Sequence, residues 1–277
     1  MTTPSRPGTA VVTGAAGGLG RAIAAALHAD GWQVLLTDVD PTAVAAAAVP
    51  LGGWSGPLDV RDEAACAAVA ARAAERGRLG LWVNNAGILA TGPSWTQDAA
   101  TRRRIVEVNA LGAMNGTLAA LDVMRRQGAG HVLNVVSLAG LVAAPGETVY
   151  AASKHALIAF SLGTLADLRA AGVRDVHVSC LCPDGIWTPM LHDRLDDPGA
   201  AASFTGTLLS AERVAARAAR LARRPRPVVT VPRWRGAQVR LLDALPGLAI
   251  RLTPVVLAVG RAGQRRQRRR LTGGPRT

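Results

Sequence analysis

The sequence predicts an α/β fold in which helices cover both faces of a parallel sheet. Seven short runs of apolar residues alternate with alanine-rich helical runs between residue 9 and about residue 231. A strand that is apolar along its whole length is typical of a parallel sheet, because both of its faces are buried. The helical runs supply the crossovers that parallel strands require. Since the sequence contains no internal repeat, we predict a single doubly wound domain with a seven-stranded parallel sheet.

Each predicted strand is short, rich in apolar residues and bounded by residues that favour turns. The strands are predicted at residues 9–13, 33–38, 54–58, 81–84, 131–137, 176–182 and 228–231. The helices are predicted near residues 18–29, 41–48, 62–76, 98–127, 149–171 and 210–223. Ligands of doubly wound sheets bind at the carboxyl ends of the strands, so we expect a functional site there.

Two segments break this alternation. Residues 185–209 contain several prolines and glycines, and they connect a strand to a helix at the edge of the sheet where ligands bind. An insertion in that place is predicted to form a lid over the site. After Pro232 the pattern changes to apolar residues with scattered arginines. We therefore expect a main domain over residues 1–232 and a tail over residues 233–277.

The positive charge of the chain is concentrated near this tail. Residues 1–212 carry 15 Lys and Arg against 18 Asp and Glu, whereas residues 213–277 carry 17 Arg against a single acid, Asp243. Apolar residues recur at helical spacing among these arginines, which predicts a basic amphipathic C-terminal extension. They are Trp234, Val239, Leu242, Leu245, Leu248, Leu252, Val255, Val256 and Val259.

A basic amphipathic helix can contact an anionic membrane surface, a neighbouring subunit or the mouth of a ligand pocket. Peripheral membrane contact is the favoured prediction, and packing within a homodimer or homotetramer comes second. Binding to nucleic acid is disfavoured, because the basic run 265–270 lacks interleaved aromatic residues and any recognised motif.

The composition limits the cellular compartment that is expected for the protein and the kinds of site that it can form. Three cysteines among 277 residues do not make a disulfide framework, so a cytoplasmic protein is expected. The first residues lack a charged segment followed by a long apolar run, and we expect no signal peptide. No apolar stretch reaches the ~18 residues of a membrane span. The five histidines show no paired ligand spacing, so no metal site is predicted.

A glycine-rich turn, residues 13–20, follows the first strand and opens the first helix. Glycines in this place let the backbone approach a pyrophosphate, whose charge then meets the N-terminus of the helix. Asp38 ends the second strand, where a carboxylate can accept hydrogen bonds from an adenosine ribose and repel a 2′-phosphate. Its neighbours Thr37 and Val39 offer no cation, so NAD is favoured over NADP. Alternatively, Asp38 is only a turn residue at the end of its strand.

The only tyrosine of the chain, Tyr150, lies four residues before the only lysine, Lys154, although the chain holds 31 arginines. Residues at this spacing share one face of a helix. An ammonium beside a phenol stabilises the phenolate and lowers its pKa toward the range of a general acid or base. The pair is therefore predicted to be catalytic, with an ordinary pair on a helix surface as the alternative.

These motifs together resemble the short-chain dehydrogenase/reductase family over roughly residues 8–231. The ordered set comprises the turn 13–20, Asp59 after the third strand, the segment from Asn84 to Gly87, Asn109, Ser137 and the segment from Tyr150 to Lys154. The resemblance implies a Rossmann-type fold and an NAD-dependent oxidoreductase that interconverts a secondary alcohol and a ketone.

The resemblance also implies a role for each residue of the set. Tyr150 would be the acid/base, while Lys154 would lower its pKa and bind the nicotinamide ribose. Ser137 would hold the substrate oxygen, and Asn109 would help to retain a water molecule that relays protons. The residues implied in NAD binding are Gly14, Gly18, Leu19, Gly20, Asp38, Asp59, Val60, Asn85, Ala86, Gly87, Tyr150, Lys154, Pro183, Ile186 and Thr188.

One residue departs from the family pattern. Asp184 stands after Pro183, where the family usually has glycine. We hypothesise that the Asp184 carboxylate lies close to the nicotinamide or the substrate and favours the oxidised, cationic ring. A solvated turn aspartate is the alternative.

The predicted substrate is hydrophobic, with a lipid-like, terpenoid or steroid-like skeleton. Several of the nine aromatic residues fall in loops expected at the rim of the site. The candidate substrate residues are Trp95, Asp184, Trp187, Leu191 and Phe204. Two alternatives stay open: the rings only pack the lid shut, or the chain is a catalytically idle dinucleotide-binding adaptor recruited to a membrane or partner through its tail.

Overall fold

The protein has the doubly wound α/β fold that the sequence predicts. Its structure, a computed structural model, describes residues 8–272. Seven strands form one sheet in which every neighbouring pair is parallel. The strands are β1 Thr9–Thr13, β2 Gln33–Asp38, β3 Ser55–Pro57, β4 Leu79–Asn84, β5 Gly130–Val135, β6 Val176–Pro183 and β7 Val228–Val231.

The order of the strands places a crevice in the middle of the sheet. From edge to edge the order is β3-β2-β1-β4-β5-β6-β7. The chain therefore builds outward from β1 to β3, returns to place β4 on the other side of β1, and continues to β7. Between β1 and β4 the crossovers diverge to opposite faces, which leaves room for a ligand at the carboxyl ends of these two strands.

The helices include a short one in the lid and two in the tail for which no bounds were predicted; the others lie within one residue of their predicted bounds, with one exception. They are α1 Gly18–Ala29, α2 Pro41–Ala48, α3 Glu63–Glu75, α4 Ala99–Val106, α5 Ala113–Gln127, α6 Thr148–Ala170, α7 Pro189–His192, α8 Ala211–Arg223, α9 Arg233–Asp243 and α10 Pro246–Thr272. Several begin at a side chain that caps the free backbone amides. The Asp40 carboxylate, for example, accepts hydrogen bonds from the amides of Thr42 and Ala43 at the start of α2.

The exception is the single helix predicted over residues 98–127. In the structure, a π-helical turn over Glu107–Gly112 joins α4 to α5. Gly112 lies so close to Val60 that a Cβ atom there would be 3.0 Å from the Val60 Cβ. The helix thus passes tightly beside the loop after β3, a detail that hydrophobic periodicity does not reveal. Such turns are frequent at functional sites.

The sheet separates two apolar layers. One packs α1, α2 and α8 against the sheet through residues such as Ile23 and Val214. The other packs α3, α5 and α6 through residues such as Met124 and Leu168. Burial of both layers holds the strands in register, and with them the loops at their carboxyl ends.

The lid and the tail pack against each other. The lid contains α7 and a 3-10 helical segment, Pro198–Phe204, that α10 covers. A Cβ atom on Gly260 would lie 2.6 Å from the Ala201 carbonyl carbon, so this contact depends on glycine. The Gln264 amide donates hydrogen bonds to the carbonyl oxygens of Arg194, at 3.1 Å, and Asp197, at 2.7 Å.

The amphipathic tail thus packs on the lid. Of the three predicted alternatives, this position agrees with the third, in which the tail lies at the mouth of a pocket. Within residues 8–272, no helix combines the length and the apolar character needed to cross a membrane.

Candidate active site

The glycine-rich turn after β1 is shaped by close backbone contacts. Gly14 and Gly18 have φ angles of +62° and +52°, in the left-handed region that glycine tolerates best. A Cβ atom on Gly14 would lie 2.7 Å from the Ala86 Cα, and one on Gly20 would lie 2.8 Å from the Gly14 carbonyl carbon. The turn therefore packs tightly on the loop after β4 on one side. On the other side it faces a cavity, and there Gly17, which the sequence analysis did not single out, has open space around its Cα.

Asn85 fastens this turn to the neighbouring strand. Its side-chain amide donates hydrogen bonds to the carbonyl oxygens of Thr13 and Gly14, both at 3.0 Å. The backbone amides of Asn85 and Ala86 both donate to the Thr13 hydroxyl. The loops after β1 and β4 thus form one rigid wall at the crevice.

Two carboxylates line the far end of the cavity. Asp38 accepts hydrogen bonds from the amides of Ala16, at 3.1 Å, and Asp40, at 3.3 Å, so it ties the end of β2 to the glycine-rich turn. Asp59 is held by the Arg61 side chain, whose guanidinium keeps the pKa of this carboxyl below its usual value. Both carboxylates are therefore fixed in position at the wall.

Ser137, Tyr150 and Lys154 come together at the centre of the cavity. Ser137 lies two residues beyond β5, and its hydroxyl accepts a hydrogen bond from the Ala139 amide at 3.1 Å. Tyr150 and Lys154 lie on successive turns of α6, with the Lys154 Nζ 5.7 Å from the centre of the tyrosine ring. The ammonium donates to the Val135 carbonyl oxygen at 3.0 Å, which anchors it to the end of β5.

Asn109 lies behind this group, in the π-helical turn. Its side-chain oxygen accepts from the Ile88 amide at 2.8 Å, and its Nδ2 donates to the Ile88 carbonyl at 2.9 Å and to the Ser153 hydroxyl at 3.2 Å. Gly87 separates it from Lys154, since a Cβ atom there would be 3.3 Å from the Asn109 Oδ1 and 3.6 Å from the Lys154 Nζ. Asn109 thus joins the loop after β4 to the helix that carries the tyrosine.

All fifteen residues implied in NAD binding line one cavity of about 990 Å³, together with Ser137. A model of the family described as short chain dehydrogenase matches residues 8–199. The chain belongs to the short-chain dehydrogenase family.

Three similar proteins show how much of the chain the sequence similarity covers. Sex determination protein tasselseed-2 of Zea mays is 37% identical over 191 residues, a match that covers 66% of this chain and 56% of tasselseed-2. Levodione reductase of Leifsonia aquatica is 32% identical over 210 residues, covering 70% of this chain and 78% of the reductase. A short-chain dehydrogenase/reductase from Burkholderia phymatum, crystallised in complex with NAD, is 30% identical with a TM-score of 0.79, covering 89% and 97% of the two chains.

Burial controls the protonation of the pair on α6 in this short-chain dehydrogenase. It lowers the pKa of Lys154 to about 8. It also raises the pKa of Tyr150, an effect that the nearby Glu147 reinforces and the Ser137 side chain opposes. Both groups are withdrawn from water, which favours the neutral form of each. The expectation that Lys154 lowers the tyrosine pKa stays a prediction.

The candidate substrate residues divide into two groups. Leu191 and Asp184 line the cavity. Trp187 instead stacks on His192 with ring centroids 3.9 Å apart, and Phe204 is buried in a small apolar cluster of the lid. Trp95 is 85% exposed and lies away from the cavity lining. None of the three rings lines the cavity: two pack the lid shut, and the third is exposed, a direction that sequence position alone does not determine. Their assignment to the substrate stays a prediction.

Asp184 has a different partner from the one expected. Its Oδ2 accepts a hydrogen bond from the Arg235 Nε of α9 at 2.9 Å, and the same guanidinium donates to the Thr205 hydroxyl at 2.9 Å. Both charged side chains are largely buried. The arginine compensates the carboxylate, so the structure does not support a free charge beside the nicotinamide, and Asp184 is not a solvated turn residue either. It connects the loop after β6 to the lid and the tail.

The tail contributes apolar residues to the wall of the cavity, which agrees with the third position predicted for it, at the mouth of a pocket. Val239 and Leu242 of α9 line the cavity, as do Ile250, Val256 and other residues of α10.

Glu147 is a cavity residue that the sequence analysis missed. Its side chain is 2% exposed, and its Oε1 accepts a hydrogen bond from the Ser203 hydroxyl of the lid at 2.7 Å. Burial raises the pKa of this carboxyl to about 7. An acid just before a helix normally marks a solvated helix start. Only its place three residues before Tyr150 could have drawn attention to it.

Proposed function

We propose that the protein is an NAD-dependent oxidoreductase that interconverts a secondary alcohol and a ketone on a hydrophobic substrate. The observation that carries this proposal is the single cavity that the glycine-rich turn shares with Ser137, Tyr150 and Lys154. A dinucleotide-binding wall and a buried proton-transfer group at one cavity are what dehydrogenation of an alcohol requires.

The cavity fits a dinucleotide at both ends. At the start of α1, the open space beside Gly17 and the left-handed backbone of Gly18 leave room for a pyrophosphate over the helix N-terminus. The fixed Asp38 carboxylate at the far wall suits an unphosphorylated ribose and repels a 2′-phosphate, which favours NAD over NADP. Bound NAD would accept the hydride of an alcohol, and its reduced form would return a hydride to a ketone.

The residues of the chain manage the proton. Oxidation releases a proton from the substrate hydroxyl, and the Tyr150 phenolate accepts it; reduction needs a proton on the new alkoxide, and the Tyr150 phenol donates it. The Ser137 hydroxyl, beside Tyr150, hydrogen-bonds the same substrate oxygen. Because burial raises the tyrosine pKa, the phenol form is favoured, which suits reduction of a ketone. Lys154 orients the pair through its bond to the end of β5 and stabilises the phenolate.

The walls beyond the catalytic residues support a hydrophobic substrate, such as a lipid-like, terpenoid or steroid-like alcohol. Met190 and Leu191 of the lid line the cavity together with Val256 and other apolar residues of α10. Desolvation of an apolar skeleton against these walls supplies affinity, and the few polar groups orient the reacting carbon.

The test is reduction of NAD⁺ with a panel of hydrophobic secondary alcohols, followed by absorbance of NADH. We expect turnover with at least one alcohol, a preference for NAD⁺ over NADP⁺, and a loss of at least ~100-fold in kcat for Tyr150→Phe. The control is Phe160→Tyr, which introduces a phenol elsewhere on α6. Turnover that survives in Tyr150→Phe would contradict the assigned role, and a complete lack of turnover would favour the adaptor alternative.

A second proposal concerns the outer surface of the tail. We propose that it mediates peripheral contact with an anionic membrane by an otherwise cytoplasmic enzyme. Leu241, Leu245 and Leu248 are exposed and do not line the cavity, and α10 continues into a run of arginines. Apolar side chains beside cations are the combination that binds such surfaces.

Co-sedimentation with vesicles tests this contact. The full-length protein should pellet with vesicles that contain phosphatidylserine and remain in solution with phosphatidylcholine alone. The variant Leu241→Ser/Leu245→Ser should pellet less. Equal pelleting of the protein and its variant would contradict the membrane contact. Light scattering of both would then test the tail surface as a subunit contact of the proposed homodimer or homotetramer.

A further inference from the structure

Glu147 occupies an unusual position for an acidic residue. It precedes α6 directly, three residues before Tyr150, and it is close enough to Tyr150 to raise the pKa of the phenol. Both line the cavity. The Glu147 carboxyl therefore lies beside the place where a reacting carbon must sit if Tyr150 transfers the proton.

The lid holds this carboxyl in place. Ser203 donates its hydroxyl to the Glu147 Oε1 at 2.7 Å. The neighbouring residue Gly146 also packs on the lid, since a Cβ atom there would lie 3.0 Å from the Gly199 carbonyl carbon. Two successive residues thus fix the start of α6 against the segment Pro198–Phe204, which orients the carboxyl toward the cavity rather than leaving it mobile.

The charged groups around Glu147 do not hold it in its anionic form, and its carboxyl, with a pKa of about 7, is mostly protonated below neutral pH. Arg194 and Asp197 of the lid act on it with opposite signs, and Tyr150 of the helix that follows is itself a neutral phenol. The Arg194 guanidinium is occupied by the carbonyl oxygens of Met190 and Leu89. Burial therefore dominates, and the carboxyl can both donate and accept a hydrogen bond.

We propose that Glu147 binds a second oxygen of the substrate, a hydroxyl or carbonyl a few bonds from the reacting carbon. The substrate class is then a hydrophobic molecule with two neighbouring oxygen functions, such as a vicinal diol, a hydroxyketone or a dione. This inference rests on the proposed oxidoreductase function and makes it more specific. A buried polar group that hydrogen-bonds a substrate discriminates strongly against the analogue that lacks the partner, because the group is then left unpaired.

The experiment compares turnover of a cyclic secondary alcohol, cyclohexanol, with turnover of the vicinal diol cyclohexane-1,2-diol. If another ring skeleton reacts fastest in the alcohol panel, the mono-alcohol and the diol of that skeleton replace them. The wild type should show a kcat/KM at least ~10-fold higher for the diol. Glu147→Leu, which keeps the side-chain volume, should lose at least ~10-fold for the diol and less than ~3-fold for the mono-alcohol. Glu147→Gln, which can still donate and accept, should retain most of the preference and should lose the pH dependence of kcat/KM near neutrality.

Ser203→Ala is the matched control. It removes the hydroxyl's hydrogen bond to the carboxyl but not the carboxyl itself, so it should affect both alcohols by a similar factor. Circular dichroism should first show that each variant is folded. If Glu147→Leu is not folded, the pH profiles of kcat/KM of Glu147→Gln and Ser203→Ala are compared instead.

Three results would overturn the inference: equal losses for both alcohols in Glu147→Leu, a wild type that prefers the mono-alcohol, or an unchanged pH profile in Glu147→Gln. If the wild type turns over neither member of any pair, the proposed function itself fails.

Discussion

The contact between the tail and the lid can be tested by adding a single methyl group. Gly260 of α10 packs directly on the backbone of Ala201, a fully buried residue of the lid segment. In Gly260→Ala the new Cβ atom would lie 2.6 Å from the Ala201 carbonyl carbon, about 0.8 Å closer than the 3.4 Å at which an ordinary contact begins. Because backbone lies on both sides of this contact, neither side chain can move away, and the helix itself must shift.

Such overpacking destabilises a protein by about 1–3 kcal/mol, while replacing glycine by alanine inside a helix returns about 0.5–1 kcal/mol. We therefore expect Gly260→Ala to lower the free energy of unfolding by about 1–2 kcal/mol. The shift of α10 also moves the apolar wall that Val256 contributes to the cavity, so KM for the alcohol should rise while kcat changes little.

The assay is urea unfolding followed by tryptophan fluorescence, combined with steady-state kinetics of the same preparations. Gly247→Ala is the control, because it makes the same change on the same helix where nothing lies within 4 Å of the added atom. It should be as stable as the wild type or slightly more stable. If Gly260→Ala matches Gly247→Ala in both stability and KM, the packing of α10 on the lid is refuted.

Three further perturbations follow from the site. Glu147→Gln should remove a pH dependence of stability. The pKa of this carboxyl in the folded protein, about 7, lies above its ordinary value of 4.5, so the wild type loses up to about 3 kcal/mol of stability between pH 5 and 8. The variant should not, as urea unfolding at both pH values would show. Arg235→Gln should lower the free energy of unfolding by about 3 kcal/mol, because it leaves the largely buried Asp184 carboxylate unpaired. In a double-mutant cycle, adding Asp184→Gly should restore part of this loss, and additive effects of the two substitutions would contradict the pairing. Asp38→Ala should raise KM for NAD⁺ and reduce the preference for NAD⁺ over NADP⁺ by ~10-fold in initial-rate measurements. An unchanged preference would show that Asp38 does not determine cofactor specificity.

Much of the site was predictable because of where its residues stand along the chain. The glycine-rich turn, Asn85 and Ser137 follow β1, β4 and β5, three neighbouring strands whose carboxyl ends meet at one edge of the sheet. Once the strands are identified from their apolar runs, the residues after them are expected to converge. The spacing of Tyr150 and Lys154 likewise places both on one face of α6, and the structure brings them to the same cavity as Ser137.

Other features could not be predicted, since they depend on contacts between distant segments. Asp184 and Arg235 are separated by 51 positions, and Glu147 and Ser203 by 56. Nothing local to either acid indicates that it is buried or which partner it meets. The outward direction of Trp95 is similarly a property of the loop in its folded setting.

The sequence by itself determined the order of strands and helices, the place of the glycine-rich turn and the spacing of Tyr150 and Lys154. These depend on short-range patterns, namely apolar periodicity, glycine in tight turns and the four-residue spacing of a helix face. Only the tertiary structure decided that α10 lies on the lid, that a carboxyl beside Tyr150 is withdrawn from water, and that burial raises the tyrosine pKa. The physical reason is that desolvation and packing are set by all the atoms surrounding a group, and most of those atoms come from residues far away along the chain.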